Sequence, residues 1–244
     1  MLVNPCPQAV AQPAPTAATD PLNPIVLSIK RGRFRRDDLE AESADADFGE
    51  AKVAVQIRDA KTCHFCGFQA DKWQDIHHAN DDHHDNSREN LITVCKICHA
   101  CHHIGLAGMN NGGSIIYLPE ISQVELNRLV RAMYVIGKVG SPEWRKRAGN
   151  LWQFLLSRQQ PVANALGSHD PIVLANALGS ASQIDFDSRA TPLAPLRFFI
   201  KPKSPMLTLP KGGTVIDYWV SGVYNKVPEE SWMALAEQVF DKFD

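Results

Sequence analysis

The sequence predicts an α+β protein whose C-terminal half is mainly helical. Residues 114–118 form a short apolar run between the turn residues 110–113 and Pro119, a pattern that is typical of a strand. From Ser122 onward, apolar residues recur at helical spacing behind capping residues, which indicates helices. Residues 63–98 are polar and turn-rich, and they begin and end with a Cys-x-x-Cys pair. Something other than a large apolar core must therefore hold this stretch together.

Length and composition restrict the class of protein. The chain has 244 residues, 44% of them hydrophobic, and a formal net charge of −2. It is long enough to bury a substantial core, and its near-neutral charge argues against a nucleic-acid partner bound through phosphate contacts. No apolar run approaches the ~20 residues that span a bilayer, and no basic segment precedes an apolar one as in a secretory signal. We therefore expect a cytoplasmic protein without direct membrane insertion.

The two cysteine pairs predict a metal site. Cys63 and Cys66 form the first pair, and Cys95 and Cys98 form the second. Thiolates with this spacing can face one ion, and two such pairs complete a tetrahedron of the kind that zinc prefers. Four sulfur ligands leave no open position for a substrate. We therefore predict a structural Zn²⁺ ion and assign no catalytic or cofactor-binding residue.

The N-terminal residues have a composition of their own. Residues 1–24 are rich in Pro, Ala, Gln and Thr, so we expect a disordered leader that includes the lone Cys6. The apolar residues 25–29 suit a short edge strand. A basic cluster at 31–36 is followed at once by an acidic run at 37–50. We therefore favour a solvated, self-pairing surface over a site for nucleic acid or acidic lipid.

Beyond the leader, residues 25–240 are predicted to form a single globular unit. Its first part is the zinc-binding region at 50–105, which begins with a short helix at 50–60. Its second part is the helical region at 106–244. Ser122 opens a helix there with a capping box of the S-x-x-E type, and the Ser-Pro-Glu sequence at 141–143 opens another.

The end of the helical region contains further signals. The hexapeptide Ala-Asn-Ala-Leu-Gly-Ser occurs at 163–168 and 175–180, which predicts two short helices that each end at a Gly. The Pro-rich residues near 185–213 are predicted to cross the surface as a loop. A last helix is predicted from Pro228, with Trp232 on its apolar side. We favour packing of this helix against the chain's own core over a partner-binding face.

The order of residues around the cysteines resembles the HNH endonuclease fold. A predicted strand at 73–78 ends in His77 and His78, Asn90 precedes the second cysteine pair, and His99 follows Cys98. The resemblance implies a ββα unit, which in the zinc-binding variant is held by two Cys-x-x-Cys pairs. In active members the second histidine is the general base, the asparagine orients it, and the outer histidines hold Mg²⁺ or a similar ion.

The sequence also departs from the HNH pattern. Acidic residues and histidines occupy the loop at 79–89, where they would repel a DNA backbone: Asp81, Asp82, His83, His84 and Asp85. Cys101, His102 and His103 offer competing ligands. We prefer Cys95 and Cys98 because they keep the family's distance from Asn90. The four histidines outside the motif, at 83, 84, 102 and 103, are predicted to be solvated surface residues.

A longer resemblance involves the IcmJ/DotN family and spans about residues 50–240. It rests on segments both within and beyond the zinc motif, at 63–70, 90–101, 113–127, 217–219 and 228–232. This resemblance implies a subunit of a Dot/Icm (type IVB) secretion system, peripheral to the inner membrane. It further implies membership of the cytoplasmic coupling complex, binding to the C-terminal tail of the coupling ATPase DotL, and an HNH-like zinc fold used as a scaffold.

Two functional hypotheses follow. The first is a non-enzymatic, zinc-binding adaptor that binds the tail of a DotL-like ATPase and other coupling-complex subunits. The alternative is an HNH-type, metal-dependent endonuclease that uses His77 or His78, Asn90 and His99.

Overall fold

The structure is a computed structural model that describes residues 24–30, 41–82 and 85–227. Within those residues it combines helices with two small antiparallel sheets, so the α+β prediction is confirmed. The strands are β1 (Asp75–His78), β2 (Leu91–Val94), β3 (Gly113–Tyr117) and β4 (Leu196–Ile200). The helices are α1 (Ala41–Arg58), α2 (Lys96–Ala100), α3 (Ile104–Met109), α4 (Gln123–Val139), α5 (Pro142–Ser157), α6 (Gln159–Leu166), α7 (Pro171–Ser180), α8 (Gln183–Asp187), α9 (Ala190–Leu193) and α10 (Val215–Tyr218). Shorter helical turns lie at Pro205–Leu207, Trp219–Val223 and Tyr224–Lys226.

The first sheet and the helix after it form a small ββα arrangement. β1 and β2 pair antiparallel, with Asp75 opposite Val94 and His78 opposite Leu91, and α2 follows β2 directly. The side chain of Val55 on α1 is buried against Ile76 and Leu91 of the two strands. The predicted strand that ends in the histidine pair is confirmed, and the short helix predicted at 50–60 occurs as the last part of the longer helix α1.

The second sheet corrects one prediction. β3 occurs where a strand was predicted, but its partner is β4, which lies inside the Pro-rich stretch at 185–213 where we predicted a surface loop. The loop prediction is wrong there because the prolines all lie outside the strand, which is a continuous Leu-Arg-Phe-Phe-Ile run. Its last three residues are buried, and their backbone groups are bonded partly by β3 and partly by the side chains of Gln123 and Tyr134.

Helix α4 passes through the main core and organises the helical region. The predicted capping box is present, since Ser122 Oγ accepts from the Glu125 N–H at 3.1 Å and a Glu125 carboxylate oxygen accepts from the Ser122 N–H at 2.7 Å. The apolar face predicted for this helix is buried. The Tyr134 hydroxyl donates to the carbonyl of Ile200, which joins α4 to β4. Helix α5 begins at Pro142, as predicted.

Three local predictions have mixed outcomes. Residues 25–29 do not form a strand. Within this segment only Ser28 makes backbone-to-backbone hydrogen bonds to another described part of the protein: its N–H donates to the Cys101 carbonyl at 3.0 Å, and its carbonyl accepts from the Ile104 N–H at 3.2 Å. Helix α6 ends at Gly167, whose φ of 77° is left-handed, as predicted. Helix α7 continues through Gly179 to Ser180, so the second predicted stop is wrong.

Several other predicted features lie outside the described residues. These are the leader at 1–23 with Cys6, the basic cluster at 31–36, and the last helix from Pro228.

The crossing of α3 and α7 supplies a test of packing. A Cβ atom on Gly108 would lie 2.4 Å from the backbone nitrogen of Ile172, whereas a Cβ on Gly137 in α4 would meet nothing within 4 Å. We expect Gly108→Ala to lower the free energy of unfolding by about 1–3 kcal/mol through overpacking. Gly137→Ala should raise it by roughly 0.5–1 kcal/mol, because alanine loses less backbone entropy in a helix. Denaturant unfolding measures both, and equal changes would contradict the close approach of the two helices at Gly108.

Candidate metal centre

The four predicted cysteines converge on one point. Their sulfur atoms lie within 4.8 Å of one another, and all four residues are buried: Cys63, Cys66, Cys95 and Cys98. The Cys66 and Cys95 sulfurs are 3.7 Å apart. A tetrahedron with Zn–S bonds of about 2.3 Å requires sulfurs ~3.8 Å apart, so both the spacing and the soft donor set fit Zn²⁺. Zinc binding itself stays a prediction.

Backbone geometry aims the first cysteine pair at the centre. The Cys63 N–H donates to the Phe68 carbonyl at 2.9 Å, and the Gly67 N–H donates back to the Cys63 carbonyl at the same distance. Gly67 has a φ of 69°, the left-handed conformation that closes such a turn most easily with glycine. The His64 N–H donates to Thr93 at 2.8 Å, which ties this turn to β2.

The second pair uses the start of α2. Cys95 is the extended N-cap residue and Cys98 lies in the first turn of the helix. The His99 N–H donates to the Cys95 carbonyl at 2.9 Å, which closes that turn. Because the side chains at these two positions project to the same side of the helix start, both sulfurs reach the first pair.

Helix α4 supplies polar groups that the sequence analysis did not find. The Asn127 amide donates to Cys98 Sγ at 3.3 Å, and Arg131 Nη1 donates to Cys66 Sγ at 3.5 Å. The Gln123 amide, one turn earlier, accepts from the Phe198 N–H at 2.8 Å and donates to the Phe198 carbonyl at 3.0 Å. All three polar residues are buried on the apolar side of α4. Their spacing of four within an apolar helix face is the signal that would have revealed them.

Cys101 lies close to the centre but outside the group of four. Its sulfur contacts the Ile97 carbonyl at 3.5 Å and the side chain of Asn127. Burial raises the pKa of this thiol to about 12, and its sulfur lies outside the 4.8 Å grouping of the other four. The structure thus brings together the cysteines that the sequence analysis preferred.

A second cluster lies on the other side of α2. One ring nitrogen from each of His77, His99 and His103 lies within 4.8 Å of the others. His99 Nδ1 is 3.0 Å from a carboxylate oxygen of Asp75, which also pairs with Lys96 at 3.1 Å. Burial, followed by the nearby histidine charges, lowers the pKa of His77 to about 2, so its imidazole is neutral and able to bind a cation.

Two of the histidines differ from the prediction made from the sequence. His102 and His103 are half-buried, not solvated surface residues. The ring of His102 stacks on Phe65 with centroids 5.0 Å apart, and burial lowers its pKa to about 3. His103 follows His99 by one helical turn, a spacing that could have indicated a shared site. His83 and His84 lie outside the described residues.

The remaining HNH-type positions are enclosed by protein. His78 is 3% exposed, its ring stacks on Phe48 at 5.5 Å, and its Nε2 lies 3.1 Å from Asn86 Oδ1. The hydrogen bonds that the structure describes for the Asn90 amide do not go to the ring of His78. Instead the amide accepts from the Asn80 N–H at 3.0 Å and donates to the Asp85 carbonyl at 2.8 Å, which closes the acidic loop.

Comparison with known proteins supports one of the two resemblances. No family model matches the chain. The chain is similar to the type 4 apparatus protein DotN of Legionella pneumophila subsp. pneumophila strain Philadelphia 1, with 32% identity over 142 residues. The match covers 57% of this chain and 66% of that protein, a little less than two thirds of its length.

The chain belongs to the IcmJ/DotN family. This relationship confirms the longer of the two resemblances seen in the sequence. The β1–β2–α2 order agrees with an HNH-like unit in this member of the IcmJ/DotN family, and the HNH assignment itself stays a prediction. Among its described helices, none has the length and apolar composition needed to cross a bilayer.

If the four cysteines bind a metal ion, substitutions of Cys63 and Cys101 should have unequal effects on stability and metal content. We expect Cys63→Ser, or removal of the metal by a strong chelator, to unfold the 60–105 region at a cost of at least about 3 kcal/mol, because bound zinc contributes directly to folding. Cys101→Ala should keep the metal and cost on the order of 1 kcal/mol. Thermal unfolding and metal analysis distinguish these variants. Unchanged melting of the wild type after chelation would contradict a structural ion.

Proposed function

We propose that this protein is a non-enzymatic, zinc-stabilised adaptor of a type IVB (Dot/Icm) secretion system. In this role it belongs to the cytoplasmic coupling complex at the inner membrane and binds the C-terminal tail of a DotL-like ATPase. The observation that carries the proposal is the 32% identity to the type 4 apparatus protein DotN. The other observations concern what the site and the surface can do.

The cysteine site supports a scaffold role. Its four sulfurs are buried and already complete a tetrahedral set, so a bound ion has no position left for a substrate. The ion would instead hold the turn at 63–68 against α2 and α4. The region would then act as a rigid base for an interaction surface.

An exposed apolar groove supports a protein-binding role. Leu106 and Met109 of α3 are 41% and 62% exposed, and they line a groove with Ile29 and Ile172. Lys30 lies at the same groove and gives it a basic residue. Exposed apolar side chains beside charged ones are typical of surfaces that bind other proteins.

Calorimetric titration of a synthetic peptide of the ATPase tail into the zinc-loaded protein tests the proposal. We expect saturable binding by the wild type and at least about tenfold weaker binding by Met109→Glu, because a carboxylate in the groove is costly to desolvate. Ile184→Glu is the matched control, since Ile184 is 81% exposed on α8 and does not line the groove. Absence of binding by the wild type would overturn the adaptor proposal.

A second candidate function is metal-dependent cleavage of nucleic acid. The observation that favours it is the convergence of His77, His99 and His103, with His78 beside them in β1. Three imidazole rings can hold a divalent ion, which would offset the charge that develops on a phosphate. The burial of His78 and the acidic loop at 79–89 oppose this function, so we rank it second.

Incubation with supercoiled plasmid and Mg²⁺ or Mn²⁺ tests the nuclease candidate. If the protein is a nuclease, His78→Ala should lower the nicking rate by at least about a hundredfold, in the range typical for loss of a general base. Under the adaptor proposal we expect no nicking by the wild type. Equal nicking by both proteins would indicate a contaminating enzyme and would remove the candidate.

A further inference from the structure

Arg131 is a buried cation in an unusual setting. It lies in the middle of α4 and is 5% exposed. Among the residues that the structure describes, no carboxylate forms an ion pair with its guanidinium. A buried charge without a counter-charge is strongly destabilising, so an arginine here requires a negative partner of another kind.

The surroundings of the guanidinium identify that partner. Nη1 points at the sulfur of Cys66 at 3.5 Å and at the sulfur of Cys95 at 4.0 Å. Nε donates to the Tyr224 hydroxyl at 3.2 Å, and the guanidinium carbon lies 4.0 Å above the ring of Phe68. The group is therefore enclosed by two of the four sulfurs, a phenol and an aromatic ring.

The charge balance of the cysteine site matches this arrangement. A divalent ion bound by four thiolates leaves an excess of two negative charges in a dry interior. Arg131 lies beside one half of the sulfur set and compensates part of that excess. Asn127 donates an uncharged hydrogen bond to Cys98 in the other half. Hydrogen bonds of this kind to coordinating sulfurs tune metal affinity.

The same guanidinium reaches a distant part of the chain. Tyr224 stacks on Phe68 with centroids 6.3 Å apart, and Trp219 meets the same ring edge-on at 5.6 Å. Phe68 belongs to the turn that presents the first cysteine pair. Arg131 thus lies between the metal turn and the segment Trp219–Lys226, and it contacts both.

We propose that Arg131 is the counter-ion of the metal centre and that metal loading, acting through Arg131, holds Trp219–Lys226 against the turn at 63–68. The inference rests on the zinc centre of the proposed function, but not on any partner. Without the ion, nothing holds the two cysteine pairs at one point, so the sulfurs of Cys66 and Cys95 are no longer fixed beside the guanidinium. The hydrogen bond from the guanidinium to Tyr224 then no longer connects the 219–226 segment to a fixed position.

The counter-ion role of Arg131 is tested by the zinc affinity of the full chain, measured by competition with a chromophoric chelator. We expect Arg131→Met to weaken zinc binding by about tenfold or more, in the range found for groups that support metal ligands. Arg128→Met is the matched control and should stay within about threefold. Arg128 lies one turn earlier and donates to the Cys66 carbonyl at 3.0 Å, not to sulfur. Arg131→Lys keeps the charge without the planar fork and should recover part of the affinity.

The coupling between metal loading and the 219–226 segment is tested by hydrogen exchange of residues 215–227 with and without zinc. In the wild type and in Arg128→Met, zinc should slow exchange in Trp219–Lys226. In Arg131→Met and in Tyr224→Phe this protection should be largely lost. Tyr224→Phe should lower zinc affinity less than Arg131→Met does, and only by the factor of the protection that it loses, because the Nη1 contacts of Arg131 with sulfur stay in place. The Co²⁺-loaded protein supplies an optical signature, since loss of the guanidinium should shift the thiolate-to-metal absorption.

The possible failures are distinguishable. A wild type that does not bind zinc would overturn both the centre and this inference. Zinc binding by Arg131→Met equal to that of the wild type would overturn the counter-ion role alone. If Arg131→Met does not fold, Tyr224→Phe decides the coupling: zinc-dependent protection equal to that of the wild type would overturn it.

Discussion

Convergence of the four sulfurs is the constraint on which the N-terminal half of the described structure depends. The strands β1 and β2 have four residues each, and α2 has five, so none of these elements is stable alone. Their separate apolar cluster with α1 contains only three buried side chains, those of Val55, Ile76 and Leu91. Other side chains of the region, such as Phe68, Val94 and Ile97, pack into the main core. An ion bound at the centre would add to this packing, because it joins the turn before β1 to the helix after β2.

Helix α4 connects that centre to the rest of the molecule. Three buried polar residues of this helix, which we call the polar row, contact three different parts of the chain. Gln123 bonds β4, Asn127 bonds the second cysteine pair, and Arg131 bonds the first. Buried polar groups are tolerated only when they are satisfied, and each of these has a partner. The row thereby sets the position of the metal region relative to the helical region. An apolar helix face alone would leave that position poorly defined.

Helix α2 separates two different chemical environments. Cys98 faces the sulfur cluster, and its neighbour His99 faces Asp75 and the histidine cluster. The first environment suits a soft, fully coordinated ion that stabilises structure. The second has three imidazoles beside an acidic loop, which suits a weaker cation site and opposes an approaching nucleic acid. The geometry is therefore more consistent with a scaffold than with a nuclease.

Features that depend on neighbours within about one turn could be predicted from the sequence. The cysteine spacing, the capping box at Ser122, the proline start of α5 and the glycine end of α6 are all local, and each occurs as predicted. The pairing of β4 with β3 and the grouping of His103 with His77 became visible only in the folded protein. These depend on contacts between distant positions: Arg131 and Cys66, for example, are 65 residues apart. No local pattern specifies such a contact, because burial and the demand for a partner arise only when the segments have packed together.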